Sequence, residues 1–172
     1  ILKGYNTGEL DFIENLPVDE VATYLASGEL NIADYIGTYY VCFNTENEVF
    51  SDPAIRKAFS LVIDRNYIVD NVTQSGEVPA TGYVPSGIYD ADGASGDDFR
   101  TVGGEYYSVS EDDYEKNCEE ARQILADAGY PDGEGFPTVE YLYNTDDKHK
   151  KIAEALQNMW QKELGVTVNL DN

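Results

Sequence analysis

Hydrophobic and polar positions near the carboxyl end of the chain predict a strand, a helix and a second strand. Large side chains alternate with their neighbours over 138–143 and again over 166–171, which is the pattern of half-buried strands. Between them one apolar stripe recurs at helical spacing: Ile152, Ala155, Leu156, Met159 and Trp160. Such a βαβ run is almost always a right-handed crossover between parallel strands. We therefore expect one parallel strand pair covered by a helix over 147–164.

Similar patterns place further elements upstream of this unit. Residues 53–63 and 111–128 carry amphipathic stripes, and Asp52-Pro53 is a helix start with a side-chain acceptor and a proline at the first position. The β-rich run 38–44 predicts a central strand of the same sheet, and residues 10–13 suggest a short strand. This order of elements indicates an α/β layer arrangement. The residues expected to be mostly buried are Phe59, Val62, Leu125, Ile152, Leu156 and Met159.

His149 is the only histidine and lies in the first turn of the predicted helix. Its spacing to Ile152 and Leu156 places it on the face that packs against the sheet, at the edge where parallel strands end. Ligands of open α/β sheets bind at this edge, and helix N-termini favour anions. The alternative is a partly buried histidine with a local structural role. Position alone does not decide between the two.

Composition excludes several classes of function. The 172 residues suit one domain or one and a half, and 42% are apolar, enough for a sizeable core. The net charge of −22 opposes binding to nucleic acid and to anionic membranes. No apolar run approaches the roughly 20 residues of a membrane span. The start at Ile1 suggests a piece excised from a longer protein.

The two cysteines and one acidic loop offer no convincing metal site. Cys42 and Cys118 with a single histidine match no zinc spacing, so we expect both to be core or partly buried thiols. Asp90 and Asp92 fit the first two positions of a calcium loop, but Ala94 occupies the third and no glutamate follows at the required distance. We expect a flexible surface insertion without calcium over 90–104, and no cofactor.

Six short runs together resemble the dipeptide/oligopeptide solute-binding proteins of ABC importers, extracellular binding-protein family 5. They occur in the family's order and cover roughly residues 8 to 172. Each run is weak alone, whereas six in the right order are specific. The runs are 35–44 (YIGTYYVCFN), 50–58 (FSDPAIRKA), 63–65 (IDR), 79–85 (PATGYVP), 121–131 (with AR and AGYP at its ends) and 143–151 (YNTDDKHKK).

The resemblance implies a fold and a division of the chain. Members have two lobes that close on an extended peptide, and the lobe expected here is of the periplasmic-binding-protein type II-like α/β class, a mixed sheet with packed helices. Residues 38–172 are expected to form the first part of the second lobe, including the C-terminal βαβ unit. Residues 1–37 are expected to be the trailing part of the first lobe with the interlobe crossing.

The resemblance also implies a ligand site. In oligopeptide-binding relatives the residues matching Asn144 and His149 face the cleft, and the histidine contacts the carboxyl end of some peptides. Tyr40 is a third candidate, with a core aromatic as its alternative. The alternative for Asn144 is a turn residue bonding its own backbone. Thr73 stands where some relatives have a lysine that meets short peptides, so that mode of recognition is in doubt here.

The function expected from these arguments is non-catalytic capture of oligopeptides for import. The expected partners are the peptide and, through the full-length protein, the ABC permease subunits. The expected location is extracellular or periplasmic, with a lipoprotein anchor outside this chain. The alternatives are an acidic calcium-dependent surface module and a hydrolase using paired carboxylates. No nucleophile elbow, phosphate loop or zinc-protease motif is present.

Overall fold

The computed structural model describes residues 1–89 and 92–172 and shows helices packed around one small sheet. The helices are α1 (Leu2–Asn6), α2 (Val18–Ser27), α3 (Pro53–Leu61), α4 (Arg65–Tyr67), α5 (Phe99–Val102), α6 (Tyr114–Asp127) and α7 (Asp147–Leu164). The strands are β1 (Val139–Leu142) and β2 (Val168–Asp171). A π-helical turn, Ile68–Thr73, continues α4, and 3-10 turns occupy Gly93–Ser95, Glu111–Asp113 and Pro131–Gly133. Within the described residues, no helix combines the length and apolarity needed to cross a bilayer.

The predicted βαβ unit is confirmed. β1 and β2 pair in parallel, with Val139 opposite Val168 and Leu142 opposite Asp171. The backbone N–H of Val139 donates to the carbonyl of Thr167 at 2.9 Å, so the pairing begins one residue before β2. α7 makes the crossover between the two strands and covers their inner face.

The ends of α7 are fixed by local chemistry. Asp146 is the N-cap, and its Oδ1 accepts hydrogen bonds from the backbone N–H groups of Lys148 (2.9 Å) and His149 (3.1 Å). Gly165 ends the helix in the left-handed conformation, with φ of 68°. A Cβ at Gly165 would lie 2.1 Å from the carbonyl oxygen of Asp132, so only glycine permits this close approach of two loops.

The core lies where α3, α6 and α7 meet. Phe59 of α3 and Trp160 of α7 are 1% and 2% exposed, and their ring centroids are 5.6 Å apart. The indole Nε1 of Trp160 donates to the carbonyl of Phe59 at 2.9 Å, which satisfies a polar group inside an apolar cluster. All six residues predicted to form the core are buried.

Replacing Leu156 by alanine tests this core. Leu156 is 2% exposed in the stripe of α7, so the substitution should lower the free energy of unfolding of the 172-residue chain by about 2–5 kcal/mol. Leu142→Ala is a matched control, because that leucine is 71% exposed and its truncation should change stability by less than about 0.5 kcal/mol. Equal losses in urea unfolding of the two variants would contradict this assignment of the core.

The predicted strand over 38–44 is wrong. Among the described residues the sheet has two strands, and residues 38–44 belong to neither. A groove separates this segment from β1, so the two backbones do not pair. Cys42 is consequently exposed instead of at least partly buried as expected, whereas Cys118 is buried as predicted. The short strand predicted over 10–13 is also absent from the described structure.

The two edges of the sheet differ. In β2 the backbone N–H and carbonyl of Val168 point away from β1 and are bonded by side chains of α7. Gln161 Oε1 accepts from the N–H at 3.3 Å, and Gln157 Nε2 donates to the carbonyl at 2.7 Å. In β1 the N–H groups of Val139 and Tyr143 face β2. Because successive residues of a strand alternate in direction, the N–H groups of Glu140 and Leu142 face the groove.

Amide hydrogen exchange of the 172-residue chain should report this asymmetry. We expect the amides of Glu140 and Leu142 to exchange faster than those of Val139 and Tyr143, because the latter pair donate to β2 and the former have no backbone acceptor in the described structure. The four amides lie in one short segment, so differences in overall stability cancel. Equal protection of both pairs would show that the open edge is occupied.

The two segments outside the core are held by local contacts. The hydroxyl of Tyr24 donates to Asn6 Oδ1 at 2.6 Å, which ties α2 to α1. Farther along, Tyr89 and Asp98 form an antiparallel bridge, and Asp98 caps α5 by accepting from the N–H of Arg100 at 2.8 Å. Asp90, the first residue of the loop compared with a calcium site, lies outside the described residues.

Candidate functional site

A groove of about 890 Å³ opens between residues 39–44 and 137–144. Aromatic side chains of the core, Phe50, Phe59 and Trp160, form its inner wall. Its outer part is polar and lies at the carboxyl end of β1, next to the first turn of α7. This is the edge at which open α/β sheets bind ligands.

The three predicted site residues all line this groove. Tyr40 is 55% exposed and packs edge-on against Tyr83 with ring centroids 5.1 Å apart, so it is not a core aromatic. Asn144 is exposed, and its side chain makes no hydrogen bond within the described part of the chain, so the alternative of a turn-stabilising side chain is not observed. His149 is partly buried. Their ligand roles are taken up below as a proposal.

His149 has a partner that the sequence did not predict. The hydroxyl of Tyr39 lies 2.8 Å from its Nδ1, and the two rings are 5.3 Å apart and tilted by 32°. Tyr39 is the same residue type as the candidate Tyr40 and directly precedes it in the sequence. No periodic pattern distinguishes the two tyrosines, because residues 38–44 form no strand.

Tyr39 stays protonated across the physiological range. Partial burial raises the pKa of its phenol, the hydroxyl of Tyr141 opposes this through a hydrogen bond, and the nearby carboxylate of Asp146 adds to the increase. Burial, followed by the effect of Tyr39, also raises the pKa of Tyr141. The Tyr39 hydroxyl therefore remains available as a donor to the imidazole.

Three backbone donors in the first turn of α7 are already occupied. Asp146 Oδ1 accepts from the N–H groups of Lys148 and His149, and its carbonyl accepts from that of Lys150 at 2.9 Å. These three N–H groups are therefore not open to a ligand, whereas the imidazole of His149 lines the groove.

The lysines of the first two turns of α7 are paired with carboxylates. Lys148 Nζ lies 2.6 Å from Glu77 Oε1, and Lys150 Nζ lies 3.8 Å from Glu154. Lys151 pairs with Asp19 of α2. Their positive charge is thus largely compensated within the chain, and it does not convert this edge into a strongly cationic surface.

Glu77 joins α7 to the turn after α4. Its Oε2 accepts from the buried hydroxyl of Thr73 at 2.8 Å and from the N–H of Ser75 at 3.1 Å, while Oε1 meets Lys148. Burial opposes ionisation of Glu77, but the hydrogen bonds from Lys148, the backbone and Thr73 outweigh it and lower the pKa of this carboxyl below 4.5. Thr73, which the resemblance matches to a lysine of some relatives, is thus a hydrogen-bonded threonine beside an ion pair.

The lowered pKa of Glu77 gives stability a defined pH dependence. Stability from a depressed carboxyl pKa is complete above the unfolded-state value and is lost as the pH falls through the folded-state value. Glu77→Gln should therefore destabilise the chain at pH 7 by up to about 1 kcal/mol, with the difference from the parent shrinking below pH 4.5. Thermal unfolding between pH 3 and 7 measures this.

Glu14→Gln is the matched control for Glu77→Gln, because Glu14 is exposed and makes no hydrogen bond or ion pair with the described residues. Its effect on the melting temperature should be small at every pH. A deficit in Glu77→Gln that stays constant from pH 7 to pH 3 would show that ionisation of Glu77 contributes nothing.

Metal ligation finds no support in the part of the chain that the structure describes. Outside residues 90 and 91, no group of three or more histidine, cysteine, aspartate or glutamate side chains is arranged to hold an ion. The groove presents hydroxyl, amide and imidazole groups around an apolar wall. These groups suit hydrogen bonding to a polar organic ligand.

The fold and the groove define an α/β unit with an open groove at the carboxyl edge of its strands. The family described as bacterial extracellular solute-binding proteins, family 5 Middle, matches residues 2–172. The chain therefore belongs to this family. Its sequence is 36% identical over 171 residues to the periplasmic oligopeptide-binding protein OppA of Salmonella typhimurium, and 35% identical over 175 residues to the oligopeptide-binding protein OppA of Bacillus subtilis.

Solved structures agree with the sequence relatives. Burkholderia pseudomallei OppA superposes with a TM-score of 0.81 at 27% identity, and 99% of this chain and 32% of that chain are covered. Haemophilus influenzae OppA in complex with the peptide RPPGFSPFR gives 0.80 at 29% identity, with the same coverage. The sequence alignments include 98–99% of this chain but only 29–30% of the length of the curated relatives. The predicted type II binding-protein fold is confirmed.

Proposed function

We propose that this chain is part of a two-lobed protein that captures oligopeptides outside the cytoplasm and delivers them to an ABC importer without chemical change. The family match and the peptide-binding relatives support the ligand class. The observation in the structure that carries the proposal is one groove at the carboxyl edge of β1, lined by Tyr40, Asn144 and His149.

In this proposal the chain contributes to both lobes. Residues 1–37 are the trailing part of the first lobe with the crossing segment, and residues 38–172 are the first part of the second lobe. The peptide lies between the lobes, and closure completes its surroundings. The partners are the permease subunits of the importer. The location is periplasmic or extracellular, with a lipid anchor elsewhere in the whole protein.

The three site residues have distinct proposed roles. The His149 imidazole receives the carboxyl end of a peptide, because it is the polar ring at an edge where the N–H groups of Lys148 and His149 are already occupied. The Asn144 amide, which has no partner within the described chain, bonds the peptide backbone. Tyr40, exposed and packed edge-on against Tyr83, contacts a peptide side chain.

Neither alternative function is supported by the comparisons. A carboxylate hydrolase needs two carboxyl groups flanking a substrate, and the family relatives reported above are binding proteins. The calcium-dependent module rests on a loop whose first aspartate lies outside the described residues. Peptide capture therefore remains the function with the strongest support.

His149→Ala in the whole protein tests the proposed site. Peptides whose carboxyl end reaches the groove should bind about 10- to 100-fold more weakly, because a charge-assisted hydrogen bond is lost. The same peptides with an amidated carboxyl end should lose less. Calorimetric titration of paired acid and amide peptides of three to five residues measures both effects.

Two further variants sharpen this test. His149→Gln keeps an N–H donor on a side chain of similar reach, so part of the affinity should return. Asn158→Ala, on the same helix but lining a separate crevice beside α2, should bind like the parent. Equal affinity of His149→Ala and parent for every acid peptide, with intact folding, would remove His149 from the site.

A further inference from the structure

We propose that Tyr39 is a positioning residue that holds His149 in the tautomer whose Nε2 carries the proton, so that the groove presents a hydrogen-bond donor. This inference rests on the proposed function, because it concerns how the same site selects its ligand. It assigns a role to a residue that neither the sequence pattern nor the resemblance singles out.

The first step is the identity of the bonded nitrogen. The hydroxyl of Tyr39 lies 2.8 Å from Nδ1 of His149, across 110 residues of sequence, and the tilted ring contact at 5.3 Å restrains the imidazole plane. The backbone N–H of His149 is bonded to Asp146, which fixes the start of the side chain. The ring is thus held from two sides.

The second step is the direction of the hydrogen bond. A hydroxyl can donate to Nδ1 or accept from it, and the two cases give opposite tautomers. A neutral phenol is a stronger hydrogen-bond donor than acceptor, and an unprotonated imidazole nitrogen is a strong acceptor, so at 2.8 Å the Tyr39 proton points at Nδ1. Nδ1 then accepts, and the proton of neutral His149 resides on Nε2.

The third step is access to Nε2. No described side chain bonds this nitrogen, since the Tyr39 contact is made by Nδ1. Among the described residues, Arg100 Nε is the only side-chain nitrogen or oxygen that is both buried and without a partner. Nε2 of His149 has no partner either, so it is not buried. Solvent therefore reaches Nε2. It is the part of His149 that a ligand in the groove can meet.

The consequence is a constraint on ligand chemistry. With Nε2 protonated in both the neutral and the cationic imidazole, the site offers a donor in either charge state and selects an acceptor, such as a carboxylate or a carbonyl oxygen. Without the Tyr39 hydroxyl, neutral His149 can also adopt the other tautomer, whose Nε2 is an acceptor and faces a carboxylate with a lone pair.

Tyr39→Phe isolates the hydroxyl because it keeps the ring. Long-range ¹H–¹⁵N NMR reports the tautomer when it is recorded on the ligand-free whole protein at a pH where the imidazole is neutral. Comparison with His149→Gln assigns the signal. We expect the Nε2–H form in the parent and a clear increase of the Nδ1–H form in Tyr39→Phe. Affinity for acid peptides should fall about 3- to 10-fold.

Tyr24→Phe is the matched control, since its hydroxyl bonds Asn6 in another part of the chain. It should leave both tautomer and affinity as in the parent. A mixture of tautomers in the parent, or the same tautomer in parent and Tyr39→Phe, overturns the role of Tyr39 whatever the affinities are. If His149→Ala instead binds acid peptides as tightly as the parent, the proposed function is overturned. The tautomer measurement separates the two failures.

Discussion

The contact between Trp160 and Phe59 holds the site in place. The indole of Trp160 fills the space between α7 and α3 and donates its one N–H to the carbonyl of Phe59 inside this packing. Phe43 and Phe50 pack on the same Phe59 ring with centroids 6.3 and 5.1 Å away, so the segment before α3 is anchored on the core as well. Both walls of the groove therefore depend on one aromatic cluster.

That arrangement explains how a run without strand pairing can hold the candidate site residues in place. Residues 38–44 gain no ladder hydrogen bonds, but Val41 and Phe43 pack against the core while Tyr39 and Tyr40 face the groove. The two adjacent tyrosines are thus positioned by the partly buried Val41 and Phe43 that follow them, and Tyr39 is fixed further by its hydrogen bond to His149.

The sequence predicts elements whose signals are local and misses contacts that span the chain. α7 and its two strands follow from an apolar stripe, an aspartate cap and a glycine stop, all within one continuous stretch. The failed strand over 38–44 has strand-like residues, but pairing depends on which edge is available, and the β1 edge faces a groove. The Tyr39–His149 bond joins residues 110 positions apart, so no spacing within either segment encodes it. His149, Asn144 and Tyr40 can be predicted to line the groove because strand ends and a family resemblance mark them.

The charge balance of the site favours recognition by geometry over attraction. The chain carries −22 overall, and the lysines nearest the groove are matched by Glu77, Glu154 and Asp19. Asp146 adds a carboxylate beside the imidazole, although that group is committed to capping α7. In the proposed function, a ligand carboxylate arriving here meets little net positive potential, so its binding energy comes from directed hydrogen bonds at short range. Such bonds depend on where the proton sits on His149, and we therefore propose that the orientation of one imidazole matters more at this edge than the number of surrounding cations.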